Sequence, residues 1–280
     1  MNQQIEKLIE LALVEDIGTG DLTASSVIPD SAHASGTMLL KSDGVISGLA
    51  VVERVFNLVD SGIVWCATVE VGVQLPSGTT IGTISGLARS VLTAERTALN
   101  FIQRLSGIAT MTRAYVDAIA GTNARIVDTR KTTPGMRILE KQAVRDGGGS
   151  NHRMGLFDGV MIKDNHIAAL GGDSFIKSAV QRARERIPHT VKVEVEVANL
   201  HQLRLALASG AEIIMLDNMS VELMREAVVI VERRAILEAS GGVTLKTARA
   251  IAETGVDLIS VGALTHSSPS LDISLDLQIS

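Results

Sequence analysis

Cations, carboxylates and glycine turns that could handle a small, highly charged substrate are concentrated between residues 128 and 262. Each cluster follows a short run of aliphatic and β-branched residues. Asp128-Thr-Arg130-Lys131 follows the run 124–127, and Lys163-Asp-Asn-His166 follows 159–162. Glu194 and Glu196 lie within 191–197, Asp217-Asn218 ends the run 212–216, Ser240-Gly241-Gly242 follows 235–238, and Gly262 follows 258–261. Between the first two runs, Gly147-Gly-Gly-Ser-Asn-His152-Arg153 puts a histidine and an arginine on flexible backbone. Arg130, Lys131, Arg153 and Lys163, at strand or loop ends, suit carboxylate or phosphate oxygens, which guanidinium forks bind in pairs. Arg137, Lys141 and Arg145 share a predicted helix and are equally well explained as surface cations. Strand alternation puts Glu194 and Glu196 on one face. Two carboxylates facing a core need cations or a metal ion beside them, either in a site or as structural salt bridges. Ser240-Gly241-Gly242 ahead of a helix, paired with Gly262-Ala263, has the makings of a phosphate cup from backbone amides. The sequence carries no Walker loop, no HExxH helix and no Ser-His-Asp arrangement.

Elements must gather these groups. After Gly107, short apolar runs alternate with helical stretches at 134–144, 175–186, 200–208, 221–234 and 245–253, which predicts a parallel sheet. Clusters that all follow strands converge if the sheet closes, so a (β/α) barrel with one mouth explains them better than an open sheet with a spread crevice. Before Gly107 the pattern differs. A helix is predicted over 3–15, then a loop Asp16-Ile-Gly-Thr-Gly-Asp21, strands at about 34–41, 63–71 and 79–85, and a helix at 49–59. A further helix over 90–105 is expected to stop at Ser106-Gly107.

Composition narrows the function classes. The chain has 280 residues, 46% of them hydrophobic, enough for a barrel with a smaller companion domain. No apolar run approaches the roughly 20 residues of a membrane-spanning helix. The first residues lack the basic start and apolar middle of a secretory signal, and a cytoplasmic location is expected. Cys66 is the single cysteine, so no intrachain disulfide or cysteine zinc site can form. A net charge of −5 and 2% aromatic residues argue against nucleic-acid binding.

The block Asp128-Thr-Arg-Lys-Thr-Thr-Pro-Gly-Met-Arg137, with Leu139-Glu-Lys141, Ala143-Val-Arg145, Gly147-Gly-Gly, Asn151-His-Arg153 and Lys163-Asp-Asn-His166, resembles the quinolinate phosphoribosyltransferase family. Glu15-Asp16, Gly20-Asp21-Leu-Thr23, Glu95-Arg-Thr97, Leu99-Asn100, Leu105-Ser-Gly-Ile-Ala-Thr110, 193–197, Leu216-Asp-Asn218 and Ser240-Gly-Gly242 extend the likeness over nearly the whole chain. The resemblance implies an α/β fold, with an N-terminal α/β sandwich domain over 1–107 completed by the tail 267–280. An incomplete (β/α) barrel catalytic domain over 108–266 would complete it. It implies transfer of phosphoribose from phosphoribosyl pyrophosphate to quinolinate with decarboxylation, magnesium (Mg2+) as cofactor, and a homodimer in which Arg96 reaches the neighbouring subunit's site. Arg130, His152, Arg153 and Lys163 would grip quinolinate. Lys131, Glu196 and Asp217 would be the catalytic groups facing ribose, diphosphate and metal, with Glu196 and Asp217 as metal ligands. Ser240, Gly241, Gly242, Gly262 and His266 would hold phosphate. Position 133 is Thr where the family often has an apolar residue. An aldolase or isomerase using Lys163 as a Schiff-base nucleophile, a molybdenum-transport-associated relative acting on another substrate, and a catalytically silent binding protein are the competing readings.

Overall fold

The computed structural model describes residues 2–280. In chain order it begins with α1 (Gln3–Ile17), α2 (Leu22–Val27), β1 (His33–Leu40), β2 (Gly44–Val45), α3 (Leu49–Val59), β3 (Val64–Ala67), β4 (Gln74–Leu75), β5 (Thr80–Leu87) and α4 (Ala88–Ala118). It continues with β6 (Arg125–Val127), α5 (Arg137–Asp146), β7 (Val160–Ile162), α6 (Asp164–Leu170), a 3-10 turn (Asp173–Phe175), α7 (Ile176–Arg184) and β8 (Val193–Val197). The remaining elements are α8 (Leu200–Ala208), β9 (Ile213–Asp217), α9 (Val221–Val231), β10 (Ile236–Ser240), α10 (Leu245–Ala252), β11 (Leu258–Ser260), α11 (Ala263–His266) and β12 (Ile273–Ile279). The chain divides into two compact units. One comprises 1–113, 132–148 and 264–280, and the other 114–131 and 149–263. Residues 132–148 thus cluster with the first unit, which a boundary at Gly107 did not anticipate.

The first unit is built on a four-stranded antiparallel sheet of order β12-β1-β5-β3, with β12 supplied by the chain's last residues. Helix α1 starts where Asn2 caps the backbone N–H of Gln4. Asp21, expected in a loop, instead caps α2 by accepting from Ala24 N–H at 2.8 Å. Helix α3 buries Val51, Val52, Val55 and Phe56, one apolar stripe at helical spacing.

Helix α4 departs from the sequence expectation. It does not stop at Ser106-Gly107 but continues to Ala118, burying Ala98, Leu99, Ile102, Leu105, Ile108 and Ala109 on one stripe. Gly107 is there for clearance: a Cβ at that position would stand 2.0 Å from the carbonyl oxygen of Pro269. Arg104, on the same helix, donates to the buried carboxylate of Glu140 on α5 at 2.8 Å and to the Ser268 carbonyl at 3.1 Å. Glu140 also accepts from the Thr133 N–H and hydroxyl at 3.0 and 2.8 Å. This buried network pins 132–148 and the chain's end to α4.

The second unit is a six-stranded, wholly parallel sheet of order β6-β11-β10-β9-β8-β7. Each strand from β7 to β11 neighbours the next in sequence, and β11 returns to pair with β6, so the order runs round a ring. The one gap, between β6 and β7, is partly filled by Ser150. Its N–H donates to the Ile126 carbonyl at 2.8 Å, and its carbonyl accepts from Asp128 N–H at 3.1 Å. An incomplete barrel results. On β8, Val193, Val195 and Val197 are buried on the face opposite Glu194 and Glu196, as the alternation requires. Among the described residues no helix is long and apolar enough to cross a membrane.

Candidate active site

A cavity of about 560 Å³ opens at the C-terminal ends of the barrel strands. Its first wall comes from the end of β6 and the loop after α5. Asp128 is fully buried and accepts from His152 N–H at 2.8 Å and from the Asn151 side-chain amide at 2.6 Å. One buried carboxylate thereby fixes a glycine-rich loop and presents the next two side chains to the cavity. Arg153 donates to the Gly159 carbonyl at 3.2 Å and lies 3.6 Å from Met161 Sδ on β7. Burial, and then the neighbouring Arg130 charge, pull its guanidinium pKa below the usual value, while the charges of Glu194 and Asp158 oppose this. Arg130 and Lys131 line the same cavity from the exposed loop after β6.

On the opposite side Lys163, just ahead of α6, donates to Glu196 on β8 at 2.7 Å. Asp217, at the end of β9, accepts from the Asn218 amide at 2.8 Å. Asn218 adopts a left-handed φ of 53°, and its N–H donates to the Ser240 carbonyl at 2.9 Å. Gly241 has φ +89°, and a Cβ there would come within 2.2 Å of Asn218 Oδ1. Only glycine permits that turn at the tip of β10. Ser240 and Gly241 border the cavity.

Below these groups lies a buried cluster. His152 Nδ1 accepts from Arg153 N–H at 2.7 Å, which leaves the ring proton on Nε2. That nitrogen stands 3.1 Å from Glu194 Oε2 and 3.6 Å from Glu238 Oε2. Both carboxyl groups are buried, and the Oε1 of each has no hydrogen-bond partner among the described residues. Burial first, and then the Glu194 charge, push the Glu238 carboxyl up to about 7, against the opposing pull of His152 and Ser260.

The cavity therefore collects Arg130, Lys131, His152, Arg153, Lys163, Glu196, Asp217, Ser240 and Gly241, as the strand-end pattern anticipated. Gly242 and Gly262 are not among the residues that line it. Neither are Arg96 and His266, which belong to the first unit. Arg96 is exposed there, 4.0 Å from Glu95, and His266 bonds Ser267 Oγ through Nδ1 at 2.6 Å.

Two family models cover the chain: quinolinate phosphoribosyl transferase, N-terminal domain, over residues 21–106, and the C-terminal domain of the same family over 108–276. The chain belongs to the quinolinate phosphoribosyl transferase family. It is 46% identical to a probable nicotinate-nucleotide pyrophosphorylase [carboxylating] of Bacillus subtilis, covering 99% of this chain and 94% of that one. It is also 44% identical to a quinolinate phosphoribosyltransferase [decarboxylating] of Nicotiana tabacum, covering 98% of this chain and 82% of the relative. A crystal structure of NadC from Streptococcus pyogenes superposes with a TM-score of 0.94 at 42% identity, over 99% of this chain and 97% of that one.

Within this transferase fold the sequence reading missed Glu238. It was passed over as part of an apolar run, yet it stands two residues before Ser240, on the same strand face. An acid inside Ile-Leu-Glu-Ala-Ser carries the same signal that singled out Glu194. The partner of Glu194 was missed too. Lysine or arginine was expected, and His152 is found, because the pairing depends on a loop whose course only the Asp128 contacts determine.

Proposed function

We propose that this chain transfers phosphoribose from phosphoribosyl pyrophosphate to quinolinate and decarboxylates the product, giving nicotinate mononucleotide, pyrophosphate and carbon dioxide. This is a phosphoribosyltransferase reaction of NAD biosynthesis. One observation carries the assignment of the site: a single cavity sets four cations, Arg130, Lys131, Arg153 and Lys163, around two carboxylates, Glu196 and Asp217. The substrates bring two carboxylates, a monophosphate and a diphosphate, so only such a cation-rich hollow can hold them together. Each charge-assisted hydrogen bond contributes about 1.5 to 3 kcal/mol.

Arg130, Arg153 and Lys163 grip the quinolinate carboxylates and aim the ring nitrogen at the anomeric carbon, while His152, its two ring nitrogens engaged by Arg153 N–H and by the buried acids, fixes the floor of the pocket beneath them. Lys131 faces the ribose and diphosphate, and the backbone at Ser240 and Gly241 serves the phosphate, a role that the family resemblance extends to Gly242, Gly262 and His266. The ring nitrogen forms the N-glycosidic bond as the bond to pyrophosphate breaks, and the ribose carbon takes on oxocarbenium character. Glu196 and Asp217 stabilise that charge. When the adjacent carboxylate leaves as carbon dioxide, the electron pair stays on the ring carbon, stabilised by the neighbouring pyridinium charge, and that carbon takes up a proton.

The two acids are hard oxygen donors at neighbouring strand ends. With diphosphate oxygens and water to complete the shell, they fit Mg2+. Bound there, the ion would neutralise charge on the departing diphosphate. Arg96, exposed and weakly paired, is offered to the neighbouring site of a homodimer, and the enzyme works in the cytoplasm. The assay that tests the reading measures carbon dioxide and nicotinate mononucleotide formed from quinolinate and phosphoribosyl pyrophosphate, with nicotinate as a control that does not react. No product from quinolinate, or equal use of nicotinate, would refute it.

A further inference from the structure

A second cavity, of about 420 Å³, lies beside the seam of the barrel and is lined by Thr190, Val191 and Lys192 ahead of β8 and by Ile213 and Leu258 at the starts of β9 and β11. It shares His152, Arg153 and Glu238 with the mouth cavity, whereas Glu194 borders the seam side alone. Glu238 is thus a buried carboxyl that borders substrate space on one side and a separate cavity on the other.

A negative Glu238 on the floor of a pocket that admits a dicarboxylate would oppose binding. A neutral one has a proton to give. The reaction proposed above needs such a donor, since the ring carbon that loses carbon dioxide must gain a proton.

We propose that Glu238 is the acid that supplies this proton, and that it is recharged through the seam-side cavity. The step rests on the functional reading above. The bond between the ring carbon and its carboxylate breaks, and the electron pair stays on the carbon beside the pyridinium nitrogen. As that bond breaks, the Glu238 O–H gives its proton to the carbon, leaving a carboxylate, and water in the seam-side cavity restores the proton. Glu194 on β8 and Asp128 after β6 face Glu238 as anions, His152 as an N–H donor, and Ser260 on β11 as a hydroxyl partner. The carboxyl's rise to about 7 from burial keeps a proton available near neutral pH, where a general acid works best.

His152 holds the arrangement together as a positioning residue. Its one ring proton is directed at the two acids, and its other nitrogen is occupied by the Arg153 N–H. Glu238 had no role in the family's pattern as read from the sequence, and the charge-binding groups leave it unused.

The test is to follow pyrophosphate and carbon dioxide separately in single turnovers of the full chain and of Glu238→Gln, a nearly isosteric change that removes the acid. The proposal expects first-turnover pyrophosphate release in Glu238→Gln to stay close to wild type. It expects carbon dioxide and nicotinate mononucleotide to lag by about 100-fold, with the dicarboxylate mononucleotide accumulating. Glu238→Asp, which keeps an acid, should recover part of the lost rate. Carbon dioxide keeping pace with pyrophosphate in Glu238→Gln would overturn the proposal. So would an equal fall in both products, which would make Glu238 a binding or transfer residue. A wild-type chain that releases no pyrophosphate from these substrates would overturn the functional reading itself, and this assignment with it.

Discussion

Glu194 and Glu238 face each other across the Nε2–H of His152, and as two buried anions they would cost several kcal/mol each. Retaining one proton on Glu238 relieves that cost, with a consequence for stability. The folded-state pKa of Glu238, about 7, lies above its ordinary value of 4.5. Its contribution is therefore fully present below the unfolded value and is lost as pH rises from there through the folded one. Integrated over that window the loss is about 3 kcal/mol. Urea unfolding at pH 5 and pH 8 should show the decline in wild type and a flatter profile in Glu238→Gln. An unchanged pH dependence would mean that Glu238 is not held protonated. At this scale the sequence was informative about cations, because Arg130, Lys131, Arg153 and Lys163 stand where apolar runs end. It was less informative about acids inside runs. The identity of a buried partner depends on which loop folds over it, and no local pattern records that Asp128 draws His152 toward Glu194.

Helix α4 shows how element boundaries fail. Gly107 reads locally as a stop, since glycine costs about 1 kcal/mol in a helix interior. The burial of Leu105, Ile108 and Ala109 outweighs that cost, and the glycine admits the Pro269 carbonyl instead. Gly107→Ala tests the point. Propensity alone predicts a gain, whereas the 2.0 Å approach predicts a net loss of about 2 kcal/mol through overpacking. A raised melting temperature would favour the local reading. The six barrel strands were legible because each is apolar, bounded and followed by a helix. Helices α2 and α6 were not, being only 6 and 7 residues long, too short for periodicity to show.

For the whole molecule, the ring order of strands brings five of the six strand-end clusters into one hollow, the one at Gly262 excepted. Closure was inferred from the placement of the chemistry rather than from any pairing signal, since register between strands leaves no trace in one sequence. The division into units was less visible, because 132–148 is held by Arg104 and the buried Glu140, an ion pair joining distant segments. Arg96 is not among the residues that line the hollow, and its proposed role is in the site of a second copy. Inactive Arg96→Ala and Lys163→Ala dimers, once their subunits exchange, should recover up to about a quarter of wild-type activity. No recovery after verified exchange would count against a shared site.

Everything the site does depends on this hollow gripping quinolinate by its carboxylates. Calorimetric titration of quinolinate into wild type and Arg153→Ala tests it most directly. Quinolinate should bind wild type and bind the variant about ten-fold or more weakly, the loss of one charge-assisted contact. Equal affinity in the two proteins would contradict it.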